Sequence, residues 1–238
     1  MLRDILLFQR RGIPAMPPLN HALSHWLSQQ KPYQFLPSEE RRGFAQIAQE
    51  KTLKKGEFLF REGQESDSVW LLRKGRVHLN KYMQNGQVST TCVITEGETF
   101  CCLSALDHKA YPVNAVAAAD SVVVRIPSST FSQWMRDYPS FSQEALCSFC
   151  SRLREVECHG CMIFDPVEQR ITQVIVTLAK KFGNEIPLTR QEIASLAGTT
   201  LETTIRTLSK MKEKKILRST RGKIILLNLP FLQDSLKQ

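Results

Sequence analysis

The chain has 238 residues, 42% of them hydrophobic, with a formal net charge of +9 and an isoelectric point near 9.3. This composition can bury a sizeable core and excludes an intrinsically disordered polypeptide. No run of about 18 apolar residues exists, which excludes a membrane-spanning helix. The charge is uneven: residues 165–238 carry 13 Lys and Arg against 7 Asp and Glu. A basic excess concentrated in the last third points to a polyanionic partner such as nucleic acid, with a solvated lysine-rich face as the plainer alternative.

Residues 1–30 form an N-terminal extension with Pro14, Pro17 and Pro18. Its apolar patch Ile5-Leu6-Leu7-Phe8 precedes Arg10 and Arg11, the reverse of a signal peptide's order. A cytoplasmic protein is therefore expected. In that compartment the seven cysteines are thiols, metal ligands or redox sensors in preference to structural disulfides. The stretch 20–29 is weakly helical and can pack on the body.

From about residue 53 to residue 127, short β-rich runs alternate with glycine turns. The runs are 58–60, 69–72, 77–79, 88–94 and 122–124, punctuated by Gly56, Gly63, Gly75, Gly86 and Gly97. Asn85-Gly86 predicts a hairpin, because both residues tolerate positive φ. Strands at roughly 8–12-residue spacing predict a barrel or sandwich. Pro139 then suits the first turn of a long helix, where its missing N–H is not needed. Up to about residue 162, Phe141, Ala145, Cys147, Cys150, Leu153, Val156 and Cys158 form an apolar or small-residue stripe. Such a stripe predicts a coiled-coil contact between two copies, or packing onto the chain's own barrel. Another helix is predicted over 165–181, with Ile171, Val174, Ile175 and Leu178 on one face and Gly183-Asn184 as its stop.

The strongest local signal follows. Thr189 and Glu192 make an S/T-x-x-E capping box that opens a helix with Ile193 and Leu196 on its apolar face. Gly198 stops it, and Thr199 with Glu202 predicts a second capping box, followed by Ile205, Leu208 and Met211 facing the core. Two short helices joined through one Gly are a helix-turn-helix signature. The second helix presents Leu201, Glu202, Thr203, Arg206 and Lys210 at the end that meets base edges in a major groove. Arg can fork onto guanine and Glu can accept from cytosine N4. Lys210, Lys212, Lys214 and Lys215 suit phosphates. Residues 216–225, with Arg221 in the turn, read as strand, basic turn, strand: a wing.

Over about residues 32–230 the chain resembles the cAMP receptor protein/FNR (Crp/Fnr) family of bacterial transcription regulators. Gly198-Thr199-Thr200-Leu201-Glu202-Thr203-Thr204-Ile205-Arg206 fits that family's recognition segment, G-x-[ST]-x-E-T-x-x-R. Lys55-Gly56-Glu57-Phe58-Leu59-Phe60-Arg61-Glu62-Gly63 and Leu72-Arg73-Lys74-Gly75-Arg76-Val77 resemble the turns of its β-roll. The resemblance implies an α+β fold: a cyclic-nucleotide-binding-like jelly roll at 31–138, a dimerisation helix at 139–163 and a winged helix-turn-helix at 164–238. It implies a homodimer on palindromic double-stranded DNA that acts with RNA polymerase, with no membrane partner. Arg190, Thr199, Thr200, Leu201, Glu202, Thr203, Arg206, Lys210 and Arg221 are the implied DNA-facing residues, Glu202 and Arg206 reading bases. Leu201 stands where cAMP-type members carry a further base-reading Arg, and Ile205 where FNR-type members carry Ser.

Gly97-Glu98 and Tyr111-Pro112 bracket the segment that cradles the phosphate in cAMP-binding members. Those members have an Arg-Ser pair there, and this chain does not, so cAMP is not the expected effector. The N-terminal cysteine cluster of the FNR type is missing too, the first cysteine being Cys92. Candidate sensing residues are instead Cys101 and Cys102 in the cradle and Cys147, Cys150, Cys158 and Cys161 on the long helix. At about 100° and 1.5 Å per residue, the last four share one stripe as two pairs roughly 16 Å apart. In a parallel dimer each pair faces its twin, placing four thiols together for a metal, an iron–sulfur centre or an intersubunit disulfide. Cysteine as a small seam residue, or a haem-type effector using His78, His108 or His159, are the alternatives. The expected signal is thus redox, metal or small gas. A regulatory module that binds an effector or metal and acts on a protein partner is the competing function. No enzyme is expected, since no nucleophile–base pair or hydrolase motif is present and Ser104 and His108 would meet only by accident.

Overall fold

The computed structural model describes residues 21–161, 164–220 and 222–236, and the side chains of 158–161 lie outside the described set. The N-terminal part is built of β1 (Gln49–Leu53), β2 (Phe58–Phe60), β3 (Ser68–Lys74), β4 (Val77–Tyr82), β5 (Val88–Ile94), β6 (Thr99–Phe100), β7 (Asn114–Ala117) and β8 (Ser121–Pro127). They form two antiparallel four-stranded sheets, ordered β1-β8-β3-β6 and β2-β7-β4-β5. Every expected run becomes a strand, and the β4–β5 hairpin turns at Asn85-Gly86. Leu53, Phe60, Trp70, Leu72, Ile94, Phe100 and Val123 fill the space between the sheets. This is the jelly roll of the expected α+β class.

A helical layer closes one side of the roll. It comprises α1 (His21–Leu27), α2 (Ser38–Ile47), α3 (Cys102–Asp107), α4 (Ser128–Asp137) and the long α5 (Pro139–Cys161). Tyr33, Phe44 and Phe141 all pack edge-on against Trp134 at 5.1–6.2 Å between ring centroids. Leu23 and Leu27 of α1 are buried in the same cluster, so the end of the N-terminal extension belongs to the body. The stripe expected on α5 divides in two. Phe141 packs in the chain's own helical layer and Ala145 is buried, whereas Cys147, Cys150, Leu153 and Val156 are exposed, as is the neighbouring Leu146. Cys158 closes the stripe in sequence but lies outside the described side chains.

The C-terminal part contains α6 (Val167–Phe182), β9 (Glu185–Ile186), α7 (Arg190–Ala197), α8 (Leu201–Glu213), β10 (Leu217–Thr220), β11 (Lys223–Leu226) and α9 (Leu229–Ser235). The strands form one antiparallel sheet, β10-β11-β9, and the buried faces of α6, α7 and α8 share a core of Ile171, Ile175, Ile193, Leu208 and Met211. Gly183 caps α6, as expected.

Gly75, between β3 and β4, has φ +95°, and a Cβ there would stand 2.4 Å from the Asp120 carbonyl oxygen and 2.8 Å from the Ser121 Cα. Gly56 has a similar φ of +88° but open space around it. Both positions resist a side chain through backbone strain, at about 1–3 kcal/mol, but only Gly75 adds a clash with backbone that cannot swing away. Urea unfolding should place the Gly75→Ala midpoint clearly below that of Gly56→Ala. Equal midpoints would show that the close approach to Asp120 carries no energy.

Candidate nucleic-acid interface

Helix α8 is set up by two caps and a glycine. The Thr189 hydroxyl accepts from Glu192 N–H at 3.2 Å and the Glu192 carboxylate accepts from Thr189 N–H at 2.6 Å, completing the expected capping box at the start of α7. Gly198 ends α7 with φ +57°, a left-handed conformation that Gly adopts without a Cβ penalty. Arg170 of α6 donates to the Gly198 carbonyl at 3.2 Å and holds the turn from below. No sequence signal marked Arg170 for this task.

The second capping box, expected at Thr199 with Glu202, does not form. Thr199 is still in the turn, its N–H donating to Ala194 O at 3.0 Å. The cap is Thr200, whose hydroxyl accepts from Thr203 N–H at 3.2 Å. The shift by one residue moves Glu202 out of the position that reaches back to a cap. Its carboxylate makes no hydrogen bond or ion pair with a described residue. Thr200 and Thr203 bond each other through their hydroxyls at 3.0 Å.

A second correction concerns Ile205. It was expected to face the core but is 37% exposed, because α8 turns Thr204, Thr207, Leu208 and Met211 inward instead. The buried Thr204 hydroxyl is satisfied by Thr200 O at 3.0 Å. Leu201, Glu202, Ile205, Arg206 and Lys210 therefore form one exposed face, with Thr203 half-buried and Thr199 half-buried in the turn. Glu202 and Arg206 stand four residues apart on it, one helical turn, and are not paired with each other. Lys212, Lys214 and Lys215 are exposed at the far end of α8. Arg190 donates to the Ser219 hydroxyl at 3.3 Å, tying the start of α7 to the wing strand β10. Arg221, at the wing's tip, lies outside the described residues. The assembly offers an acceptor and a forked donor on one face, flanked by cations.

In the roll, the Tyr111 ring stacks on Phe60 at 3.7 Å between centroids, and its hydroxyl accepts from Trp70 Nε1 at 3.1 Å. Cys101 adopts φ +61° just ahead of Cys102, the first residue of α3. Burial pushes the Cys92, Cys101 and Cys102 thiols up, Cys102 to about 12, with the nearby Arg152 charge opposing the rise. Cys147 and Cys150 are exposed on α5, while Cys158, Cys161 and His159 lie outside the described side chains. Among the described residues, no three His, Cys, Asp or Glu side chains are grouped so as to hold a metal ion. His108 is exposed in a left-handed turn.

His78 belongs to a junction that sequence patterning did not reveal. The roll and the helix-turn-helix part are docked: Arg76 Nη2 meets the Glu192 carboxylate at 3.1 Å, and Arg76 also donates to Pro187 O. His78 Nε2 faces the same carboxylate at 3.6 Å, beyond hydrogen-bond distance. Lys181 of α6 pairs with Glu98 at 3.0 Å and donates to Val93 O at 2.9 Å.

Profiles of two known families match the chain. "Cyclic nucleotide-binding domain" covers residues 50–138 and "Crp-like helix-turn-helix domain" covers residues 169–235, the segment that carries the caps and exposed face of α8. The chain belongs to the Crp/Fnr family of transcription regulators. It is 24% identical over 181 residues to the Cyclic AMP receptor protein of Thermus thermophilus, spanning 75% of this chain and 84% of that one. It is also 24% identical to the Transcriptional activator protein Anr of Pseudomonas protegens over 185 residues, 74% and 75% of the two chains. The structure of FixK2 from Bradyrhizobium japonicum superposes with a TM-score of 0.71 at 21% identity, covering 79% of this Crp/Fnr chain and 96% of that one, which shows the shared fold. The family is one of regulators, not enzymes. No helix among the described residues is long and apolar enough to cross a membrane.

The docked junction has a pH signature. Burial, joined by the Arg76 charge, holds the His78 imidazole below its usual range, with Glu192 opposing. A depressed imidazole contributes full stability above its unfolded value of about 6.5 and loses it as pH falls toward the folded value, at up to about 1.4 kcal/mol per pH unit. Thermal unfolding between pH 7.5 and 5 should therefore fall more steeply for the wild type than for His78→Gln. Parallel profiles would show that His78 does not titrate on undocking.

Proposed function

We propose that this Crp/Fnr member is a cytoplasmic, sequence-specific regulator that binds palindromic double-stranded DNA as a homodimer and acts with RNA polymerase. The exposed, unpaired Glu202 and Arg206 on one turn of α8 carry this reading. Two charged groups held ready on a capped helix, with no partner among the described residues, are matched to base edges that offer a donor and two acceptors. Lys210, Lys212, Lys214 and Lys215 extend the face toward phosphates, which position the protein without reading sequence. Arg190, Thr199, Thr200, Leu201, Thr203 and Arg221 complete the proposed contact set. The exposed Leu146, Leu153 and Val156 on α5 support pairing with a second copy through that helix.

The sensor input in this proposal is a redox, metal or small-gas signal and not cAMP. Tyr111, stacked on Phe60, occupies the region where an Arg would neutralise a cyclic phosphate. Burial keeps Cys92, Cys101 and Cys102 protonated, and the thiolate is the reactive form. A redox input therefore fits the exposed Cys147 and Cys150 better, and an iron–sulfur or other metal centre would draw on that same pair from two copies.

Fluorescence anisotropy on palindromic and random duplexes tests the reading. Glu202→Ala and Arg206→Ala should each relax base preference by about 1–3 kcal/mol, while Lys214→Ala should weaken all sequences alike and flatten the salt dependence. Equal loss on specific and random DNA for Arg206→Ala would falsify its assigned role. For the input, protein purified without oxygen should show a visible spectrum, bound metal or a DNA affinity that changes on thiol oxidation. A colourless, metal-free protein indifferent to oxidants would remove all three signals.

A further inference from the structure

We propose that Leu201 and Ile205 help determine which bases α8 accepts, by packing on the 5-methyl groups of thymine. This rests on α8 being the DNA reader, and it adds a recognition that charge and hydrogen bonding do not supply.

α8 carries part of its apolar pattern inside out. Thr204 and Thr207 are buried, at 0% and 6% exposure, while Leu201 and Ile205 are each 37% exposed. A helix built only for stability would do the reverse. Burying a Leu or Ile side chain removes more apolar surface from water than burying a Thr, and a buried hydroxyl needs a partner. The Thr204 hydroxyl has one, the Thr200 carbonyl at 3.0 Å. The inward threonine is thus accommodated, and the outward aliphatics are left without a part in the core.

Single exposed apolar residues are ordinary. These two are not scattered. They lie four residues apart, one helical turn, and each directly precedes a charged residue of the exposed face, Glu202 and Arg206. Toward the far end of α8 the exposed positions Ser209, Lys210, Lys212 and Glu213 are all polar. The aliphatic pair is confined to the end of the helix that meets base edges.

The major groove decides what such a pair can read. Thymine presents a methyl group there, whereas guanine presents acceptors and cytosine and adenine each present an amino donor. An aliphatic side chain over those polar groups strips them of water and offers no hydrogen bond in return, which costs free energy. Over thymine the same side chain meets a methyl. Side chains four apart on a helix stand about 5–6 Å from each other, against a rise of about 3.4 Å per base pair. One turn of α8 therefore sets the pair on methyls one or two base pairs apart, beside the bases that Glu202 and Arg206 read.

In the test, the full chain first selects a palindrome from random duplexes by repeated binding and amplification. Each thymine of one selected half-site is then exchanged for uracil, which keeps every hydrogen-bonding group and lacks only the methyl. Burial of one methyl-sized group corresponds to about fourfold in affinity. Two thymines should each show a loss of about that size on exchange, and 5-bromouracil, which returns an atom of similar bulk, should restore binding. Leu201→Ala should abolish the loss at one of them and Ile205→Ala at the other. Both side chains are exposed and Ala favours a helix, so thermal unfolding should match the wild type. A selected site that binds equally well with uracil throughout overturns the methyl assignment and leaves the reading by Glu202 and Arg206 standing. A uracil loss that persists unchanged in the Leu201→Ala, Ile205→Ala double variant overturns it as well. Failure to enrich any sequence removes α8 as the reader, and the methyl assignment with it.

Discussion

The carboxylate of Glu192 is where the two halves of the molecule meet. It closes the box that starts α7, accepting from the Thr189 N–H, and it also receives Arg76 from the roll. One group thus terminates a helix and anchors a domain contact. Burial alone would raise its pKa, but the Thr189 hydrogen bonds and the Arg76 charge outweigh burial and hold it ionised. The start of α7 sets the direction of α8 through the Gly198 turn. Whatever moves Arg76 relative to Glu192 therefore moves the reading face relative to the sensor, which is the kind of two-state contact on which allosteric coupling depends.

Much of this was legible in the sequence because the signals are local. A capping box needs only Thr189 and Glu192 at the right spacing, and the β4–β5 hairpin needs only Asn85-Gly86 between apolar runs. The missed elements lack such signals. β1 reads Gln-Glu-Lys-Thr-Leu and buries only Leu53; its strand character comes from pairing with β8, not from its own pattern. β7 is short and small, Asn-Ala-Val-Ala, and α2 and α4 start after Pro37 and Pro127 without a side-chain cap.

The two errors within the α7–α8 unit have separate causes. Thr199 and Thr200 are adjacent and chemically equal as caps, so spacing to Glu202 favoured the first, while backbone geometry after Gly198 selects the second. Ile205 is a matter of helix phase: the inward face that Leu208 and Met211 define is completed by Thr204 and Thr207, one turn before each, and leaves Ile205 at its edge. The junction of Arg76, His78, Lys181 and Glu98 was illegible for a different reason. Its residues are more than 80 positions apart in the pairs that matter, and nothing in local composition announces a long-range ion pair.

Val93 of β5 is 4% exposed and sits in the same apolar cluster as Ile171, Ile193 and Leu208. A residue of the jelly roll thus completes the interior of the winged helix unit, and the border drawn along the chain does not coincide with the border of the cores. Chimeras that graft this reader beneath a foreign sensor inherit a hole where that isopropyl group stood, unless the incoming strand offers an aliphatic side chain of similar volume in the same place. Modularity in this molecule is a property of its topology and not of its packing.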